Sequence, residues 1–425
     1  MGKDFLTALT KGEIPEAVIN DTASRVLRLI FRTAMNPRRS HGNMDDAAHS
    51  AVAREIGGEG IVLLKNDKKT LPLQGEKNIL VVGDNATRRL TEGGGSSELK
   101  VQHETSVLSA LQAEYGADHV QFAQGYMPGR TDSGREHSVP KSVTDSLRKN
   151  AVEKAKKADL VIFVGGLNKN RHQDCEDSDR KTYDLPFGQP ELIEALAKAN
   201  PNMVCILMGG NAVAMPWANK VPAILYAWYL GSEAGPAIAD VLAGRVNPSG
   251  KLPFSMPVKL DDCAAHSFGA IAYPGNGKTV EYKEDVLVGY RWHEAKHIPA
   301  RYSFGHGLSY TTFQYGKPTI EQDGTTCRIT LSVKNTGKVA GKEVVQVYVG
   351  ENNPTVTRSP KELKAFQKMA LQPGESREVT FTLEGDTAFG FYDETAHRWT
   401  TNPGTYTLYI GSSSTDIRQK GTIKL

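Results

Sequence analysis

The sequence predicts an α/β domain with a mostly parallel sheet, followed by a β-sandwich domain. Between residues 79 and 244, short apolar runs alternate with segments of helical periodicity, a pattern typical of β-α units with helices on both faces of a parallel sheet. After residue 304 the pattern changes to short alternating strands separated by turns rich in Gly, Pro and Asn. At 425 residues, 39% of them hydrophobic, the chain is long enough for about two or three domains.

Helical periodicity begins near the N-terminus. Residues 14–34 repeat apolar side chains along one face, which predicts an amphipathic helix, and residues 45–64 predict a second helix. The predicted strands that follow are apolar and end at Gly or at polar residues: 79–82, 119–123, 160–164, 203–208 and 223–228. The predicted helices lie between and after these strands: 104–115, 142–157, 189–199 and 231–244.

The C-terminal part has a different organisation. Residues 259–303 have little periodicity and are interpreted as an extended connector. Four predicted strands then indicate a sandwich in the region 304–425: 327–333, 343–349, 378–383 and 405–410. The aromatic residues of this region are expected in its core or interface, with an exposed sugar-binding platform as the alternative: Tyr310, Phe313, Tyr348, Phe366, Phe391, Tyr392 and Trp399. Residues 1–44 are predicted to form a helix and a linker, and residues 45–258 are predicted to form the α/β domain.

The composition argues against several classes of protein. A formal net charge of +3 is too small to indicate a nucleic-acid or anionic-membrane partner, and no apolar run approaches the roughly 20 residues of a membrane span. The start, MGKDFLTALTKGEIPE, lacks the apolar segment of a signal peptide. The four cysteines lack CxxC spacing, which argues against a zinc site or a disulfide framework, and Cys205 is expected to be a buried thiol. We expect a soluble protein of the cytoplasm or periplasm, and the compartment stays open.

One loop concentrates acidic residues. Strand 160–164 opens into the polar stretch 168–180 before helix 189–199. The stretch carries four carboxylic acids: Asp174, Glu176, Asp177 and Asp179. Open α/β sheets place binding groups in such strand-to-helix loops, and a positioned carboxyl group can serve as a general acid or base. From composition alone, the same residues would also fit a solvated surface loop.

Several strings along the chain resemble glycoside hydrolase family 3. They are GGGSS at 93–97, QDCEDSDR at 173–180, NPSGKLP at 247–253 and FGHGLSYTTF at 304–313. The resemblance covers essentially all 425 residues. It implies an α/β sandwich domain that carries an acid/base loop, and a C-terminal fibronectin-III-like (immunoglobulin-like) domain. Residues 14–34 resemble the last helix of the family's N-terminal (β/α)8 barrel of about 250 residues, and the rest of that barrel is expected to be missing from this chain.

The resemblance implies hydrolysis of terminal β-linked glucosyl or related residues with retention, which needs two carboxyl groups about 5–5.5 Å apart. Glu176 matches the family's acid/base, with Asp174 as the second candidate, and the neighbouring carboxylates are expected to raise the pKa of Glu176. Asp177 stands where the family has Gly. Arg180 is expected to bind substrate or to pair with Asp177 or Asp179. The family's nucleophile is an Asp of the barrel, so this chain is expected to lack one.

The implied partners follow from this division of the active site. They are an oligosaccharide or aryl β-glycoside substrate, and a (β/α)8 barrel from an upstream segment or another chain. No cofactor, metal, nucleic acid or membrane is expected. Two alternatives remain beside the glycosidase: a non-catalytic carbohydrate-binding or interaction module, and an inactive truncated fragment.

Three strings imitate other functions. GGGSS lacks the Lys and Thr that follow the glycines of a phosphate-binding P-loop, and Gly277-Lys278-Thr279 has Ala272 where that motif needs Gly. His293 to His297 satisfies the HExxH zinc motif, whose histidines must share a helix face. A helix is not expected here, because residues 286–292 are rich in β-forming residues.

Overall fold

The computed structural model describes residues 2–39, 42, 46–91, 95–97, 99–132, 135–176 and 178–425. The chain divides into two compact units, Met1–His49 and Ser50–Leu425. Within the described ranges, no helix is long and apolar enough to cross a membrane.

The first unit is helical. It contains α1 (Lys3–Thr10), α2 (Glu16–Arg32) and the start of α3 (Asp46–Gly60). Helix α2 agrees with the prediction at 14–34, whereas α1 was not expected. The apolar side chains of α2 are exposed, with Leu29 and Phe31 at 63% and 58% of their full accessibility. Because an amphipathic helix is stabilised mainly by packing its apolar face, a surface that covered this face would stabilise α2.

The second unit begins with an α/β domain. Its strands are, in chain order, β1 (Val62–Asn66), β2 (Ile79–Val82), β3 (Val120–Ala123), the short pair β4 (Arg130–Asp132) and β5 (Arg135–His137), β6 (Leu160–Gly166), β7 (Met203–Met208) and β8 (Ala223–Tyr226). Its helices are α4 (Val107–Tyr115), α5 (Lys141–Ala155), α6 (Gln189–Ala199) and α7 (Ala234–Leu242). The predicted bounds of β2, α6 and β7 coincide with these.

Six of these strands form one sheet in the order β1-β8-β7-β6-β2-β3. Strand β1 is antiparallel to β8, and the other neighbours are parallel. Alternate residues of each strand face opposite cores: Ile79 and Val81 pack with α4 and α7, and Leu80 and Val82 pack with α5 and α6. The prediction of a mostly parallel sheet covered on both faces is therefore confirmed. Cys205 of β7 is fully buried, as expected, and burial raises the pKa of its thiol.

The carboxyl ends of β2 and β6 meet where the direction of strand addition reverses. From β2 the chain adds β3 on one side, and from β6 it adds β7 and β8 on the other. Ligands of open α/β sheets bind in the crevice at such a switch point. Gly83 follows β2 there with φ 125°, and a Cβ on it would lie 2.1 Å from the Val164 carbonyl oxygen. Glycine at this position therefore lets the two strand ends approach each other.

The stretch 259–303 contains more regular structure than an extended connector. It holds helices α8 (Ala264–Ser267) and α9 (Tyr290–Lys296), and strand β10 (Ala300–Tyr302), which pairs with β9 (Met256–Pro257). The expectation that no helix forms at the HExxH string is wrong, because burial of Tyr290 and Trp292 overrides their β propensity. His293 Nδ1 lies 3.0 Å from the Ile298 carbonyl oxygen, and His297 ends α9 in a left-handed conformation.

The C-terminal domain is a β-sandwich, as predicted. Its elements are β11 (Phe313–Tyr315), β12 (Thr319–Asp323), β13 (Thr326–Asn335), β14 (Gly341–Glu351), β15 (Glu362–Leu371), β16 (Ser376–Glu384), α10 (Gly385–Phe389), β17 (Phe391–Asp393), β18 (Arg398–Thr400), β19 (Thr405–Gly411) and β20 (Ile417–Lys424). One sheet joins β11, β12 and β16 through β13, and the other has the order β15-β14-β19-β20. Tyr348 is buried as expected, whereas Phe366, Tyr392 and Trp399 are exposed and not in the core.

Buried charges connect the α/β domain to the sandwich. Lys251 lies in the NPSGKLP string; its Nζ donates to the Gly307 carbonyl oxygen at 2.7 Å and is 3.3 Å from Glu343. Burial lowers the pKa of Lys251, and the Glu343 carboxylate opposes that effect. In the same region, Asn247 donates to the Ala340 carbonyl oxygen at 2.8 Å. Two of the strings that carry the family resemblance, at 247–253 and 304–313, thus lie at this junction.

Candidate functional site

The acidic loop lies at the switch point, where it leaves the carboxyl end of β6. Its first turn is fixed by Asn168, which is buried and whose carbonyl oxygen accepts the Asp174 backbone N–H at 3.0 Å. Asn85, at the end of β2, donates to the Leu167 carbonyl oxygen at 2.9 Å. The loop is therefore held to both strand ends that flank the crevice.

Asp174 anchors the loop to the neighbouring strand connections. Its Oδ2 accepts the Gly210 backbone N–H at 2.6 Å and the Tyr229 hydroxyl at 2.8 Å, and its Oδ1 accepts the Asn211 side-chain amide at 2.8 Å. Burial and the Asp174 carboxylate together raise the pKa of the Tyr229 hydroxyl, so it stays a donor. With both oxygens occupied, Asp174 is suited to holding the loop in place.

Glu176 has a different environment, because its side chain is exposed. Its Oε2 accepts a hydrogen bond from the backbone N–H of Ser96, which follows the glycines of the GGGSS string. Hydrogen bonds from the side chain and the backbone of Ser96 lower the pKa of Glu176 below its ordinary value. The expectation that neighbouring carboxylates raise this pKa is wrong for this structure, since Asp174 is engaged elsewhere and Ser96 donors dominate. Residues 92–94 and Asp177 lie outside the described residues.

His172 and Ser178 close the loop on itself. The Ser178 hydroxyl oxygen accepts the His172 backbone N–H at 2.9 Å and lies 3.0 Å from its Nδ1. The same Nδ1 lies 3.0 Å from the Asp179 carbonyl oxygen, and an isolated β-bridge joins Cys175 to Ser178. This closure presents Glu176 at the tip between the two bridged residues.

Arg180 lies in the wall between two cavities. One, which we call the Phe187 cavity, has a volume of about 510 Å³ and is lined in part by Met127, Leu167, Gln173, Arg180, Pro186 and Phe187. The other, the Asp174 cavity, has a volume of about 710 Å³ and is lined in part by Lys169, Gln173, Asp174, Arg180, Tyr229 and His266. Glu176 lines neither. Within the described ranges, no ion pair joins Arg180 to Asp179, and Arg180 Nη1 is buried without a hydrogen-bond partner.

The structure thus brings part of the predicted site together. Asp174 and Arg180 line a common cavity, whereas Glu176 extends toward Ser96. Sequence reasoning missed the roles of Tyr229, Asn211 and Ser96. The sequence gives only a weak indication of these roles. Tyr229 and Asn211 each follow a predicted strand, as the acidic loop does, so all three could be expected at the same edge of the sheet. Ser96 acts partly through its backbone, which no side-chain pattern reveals. Across the part of the chain that the structure describes, no cluster of three or more His, Cys, Asp or Glu residues could hold a metal ion.

Replacing Ser96 with alanine is expected to raise the pKa of Glu176 toward its ordinary value. The hydroxyl of Ser96 makes the largest contribution to lowering this pKa, and its removal leaves only the backbone donor. An NMR titration of the Glu176 side-chain carboxyl in the isolated chain would measure the change. Ser109→Ala, in α4, is the matched control and should leave that titration unchanged. An unaltered pKa in Ser96→Ala would contradict the observed contact.

Comparison with known protein families gives two matches. The model for the glycosyl hydrolase family 3 C-terminal domain matches residues 61–310, and that for a fibronectin type III-like domain matches residues 343–414. The first match spans the α/β domain and the junction, and the second lies within the sandwich.

Curated relatives cover the whole chain. It is 54% identical to beta-glucosidase BoGH3A of Bacteroides ovatus, over 100% of this chain and 58% of that protein. It is 35% identical to thermostable beta-glucosidase B of Acetivibrio thermocellus, over 100% of this chain and 54% of the relative. An exo-alpha-(1->6)-L-arabinopyranosidase of Bifidobacterium breve is also 35% identical, over 98% of this chain and 54% of that protein. The chain therefore spans somewhat more than half the length of these relatives.

Solved structures show the same architecture. A GH3 beta-glucosidase of Bifidobacterium adolescentis aligns with a TM-score of 0.84 at 35% identity, covering 99% of this chain and 60% of that one. DesR, a beta-glucosidase of Streptomyces venezuelae solved in complex with D-glucose, aligns with a TM-score of 0.87 at 28% identity, covering 100% and 66%. Both similarities extend over the α/β domain and the sandwich.

Proposed function

The chain belongs to glycosyl hydrolase family 3, and on that premise we propose that it supplies the acid/base half of a retaining exo-β-glycosidase. The proposed substrates carry a terminal, non-reducing β-D-glucosyl or related residue. Glu176 is the proposed general acid/base. The observation that carries this proposal is the position of Glu176: an exposed carboxyl at the tip of a closed loop at the sheet's switch point.

The proposed roles of the other loop residues follow from their contacts. Asp174 is a positioning residue, because three donors occupy its carboxylate. Arg180 is proposed to contact substrate, since it lines both cavities and has a buried unpaired nitrogen. Ser96 stabilises the ionised form of Glu176, which is the form that deprotonates water in the second step of a retaining reaction.

The proton-donating step needs a different environment for Glu176. A general acid must be protonated when the substrate binds, and burial of a carboxyl group raises its pKa. We propose that a (β/α)8 barrel, docking over the loop, excludes water from Glu176 and replaces its contact with Ser96. The same barrel would supply the nucleophilic carboxylate about 5–5.5 Å away.

Two observations support a barrel partner. The relatives are longer than this chain, which spans 58% of the Bacteroides ovatus protein, and α2 has an exposed apolar face that a partner could cover. Two of the relatives described above are β-glucosidases, which favours a glucosyl substrate. The arabinopyranosidase relative is as similar to this chain as the Acetivibrio thermocellus β-glucosidase, so relatives at this level of identity act on different terminal sugars. Such a difference is expected if the barrel lines most of the innermost sugar site.

A reconstitution experiment tests the proposed function. The isolated 425-residue chain should be almost inactive on aryl β-glucosides, and a family 3 barrel domain added as a separate protein or as a fusion should produce turnover. Barrel alone is the control. Strong turnover by the isolated chain would place the nucleophile within it and contradict the proposed division. No turnover in a correctly folded fusion would favour a non-catalytic module.

A further inference from the structure

We propose that the Phe187 cavity binds a sugar ring, with Gln173 and Arg180 as its polar contacts and Phe187 as its apolar surface. The cavity has a volume of about 510 Å³ and lies on the acidic loop at the switch point of the sheet. The inference rests on the proposed function for the class of ligand. Binding itself needs neither Glu176, which does not line this cavity, nor a barrel.

Two buried polar atoms in the cavity wall lack partners. Arg180 Nη1, a donor, and Gln173 Oε1, an acceptor, are both buried without a hydrogen-bond partner among the described residues. Buried polar groups are nearly always paired, and an unpaired one destabilises the fold. Both residues line this cavity, and both also border the Asp174 cavity. The proposed ligand therefore requires a rotation of their end groups that presents both atoms to it.

The chemistry of this pair selects a hydroxyl-bearing ligand. An arginine nitrogen needs an acceptor and an amide oxygen needs a donor, and a hydroxyl group provides both. An ionised carboxylate such as acetate would pair with Arg180 and leave Gln173 Oε1 without a donor, because it carries no hydroxyl hydrogen. The hydroxyl groups of a sugar ring supply both the acceptor and the donor that these two atoms need.

Phe187, which also lines the cavity, provides an aromatic face. Phe187 is half-buried, and its ring stacks on that of Tyr126 at an interplanar angle of 10° with centroids 6.4 Å apart. Phe187 has φ 62°, a conformation that non-glycine residues rarely adopt and that is enriched at ligand sites. The Tyr126 ring fixes the orientation of Phe187, so that one face of a sugar can pack against it.

Cellobiose and methyl β-D-glucopyranoside, titrated into the isolated 425-residue chain, test the site directly. We expect the NMR signals of the Gln173 side-chain amide and the Arg180 Nε–H to shift on titration. Gln173→Met should weaken binding by about tenfold, the loss of roughly one hydrogen bond. Gln367→Met, an exposed glutamine of the sandwich, is the matched control and should bind as the wild type does.

The stability of the variants separates a binding role from a structural one. Because Gln173→Met removes an unpaired buried acceptor, its thermal midpoint should be equal to or above that of the wild type. Unchanged affinity in Gln173→Met, absence of any shift with either sugar, or displacement of cellobiose by acetate would overturn the proposal. Failure of reconstitution with a barrel would instead affect only the proposed catalysis, since this titration needs no turnover.

Discussion

In the enzyme reconstituted with a family barrel, Glu176→Ala is expected to lower turnover of cellobiose by about 10²–10⁴-fold. Glucose is a poor leaving group, so cleavage needs a proton on the glycosidic oxygen as the bond breaks. Of the other described carboxyls of the loop, Asp174 is fully engaged by its three donors, and Asp179 is exposed but lies outside the bridged tip. Steady-state kinetics on the wild type and the variant measure the loss.

The leaving group distinguishes an acid role from a positioning role. An aryl glucoside with a very acidic phenol departs without protonation, so Glu176→Ala should affect formation of the glycosyl-enzyme far less with that substrate than with cellobiose. Glu394→Ala, an exposed glutamate of the sandwich, is the control and should match the wild type on both. An equal loss on both substrates would mean that Glu176 does not donate the proton.

Azide provides an independent test of the second step. Without its base, the Glu176→Ala enzyme should accumulate the glycosyl-enzyme when the substrate has a good leaving group. Azide needs no deprotonation to attack this intermediate, so it should restore part of the turnover and yield a β-glycosyl azide. A variant of the barrel nucleophile forms no such intermediate, and azide should not return a product of the same configuration.

The local hydrophobic pattern of the sequence predicts several helices and strands of the α/β domain well. Strands β2 and β7 and helix α6 have the predicted bounds because each is a complete apolar or amphipathic segment bounded by Gly or polar residues. Helix α9 was missed because its β-forming residues are held in a helix by burial of Tyr290 and Trp292. Strand β15 was missed because half-buried and exposed residues dominate its first part, which weakens the apolar signal.

The site is less predictable than the fold because its contacts are distant in sequence. Asp174 meets Gly210 and Tyr229, which are 36 and 55 residues away, and no local pattern links these positions. Glu176 meets Ser96, which is 80 residues away and donates partly through its backbone. The sequence therefore identified the acidic loop but not which carboxylate is anchored and which is exposed. That difference also explains why the expected direction of the Glu176 pKa shift was wrong.

Asp174→Ala is expected to destabilise the α/β domain by roughly 1–2 kcal/mol, since it removes the charged acceptor of three donors, two of which are exposed and can bond to water instead. These donors are the Gly210 N–H, the Asn211 amide and the Tyr229 hydroxyl. Asp174→Asn keeps one acceptor oxygen and should be destabilised less. Urea unfolding of the isolated chain measures the loss of unfolding free energy in both variants. Glu176→Ala is the matched control on the same loop, and because the Glu176 side chain is exposed, its removal should change the free energy of unfolding little.

The same two variants decide between the carboxylates as candidates for the acid. If Asp174 only positions the loop, Asp174→Asn in the reconstituted enzyme should reduce turnover by a similar factor for good and poor leaving groups. The pattern expected of an acid would then belong to Glu176→Ala alone. The reverse result, in which Asp174→Asn is selectively impaired on cellobiose and Glu176→Ala is not, would transfer the acid role to Asp174. Three donors of the protein already occupy the carboxylate oxygens of Asp174, which leaves it poorly placed to reach a substrate, and this is why we expect the first result.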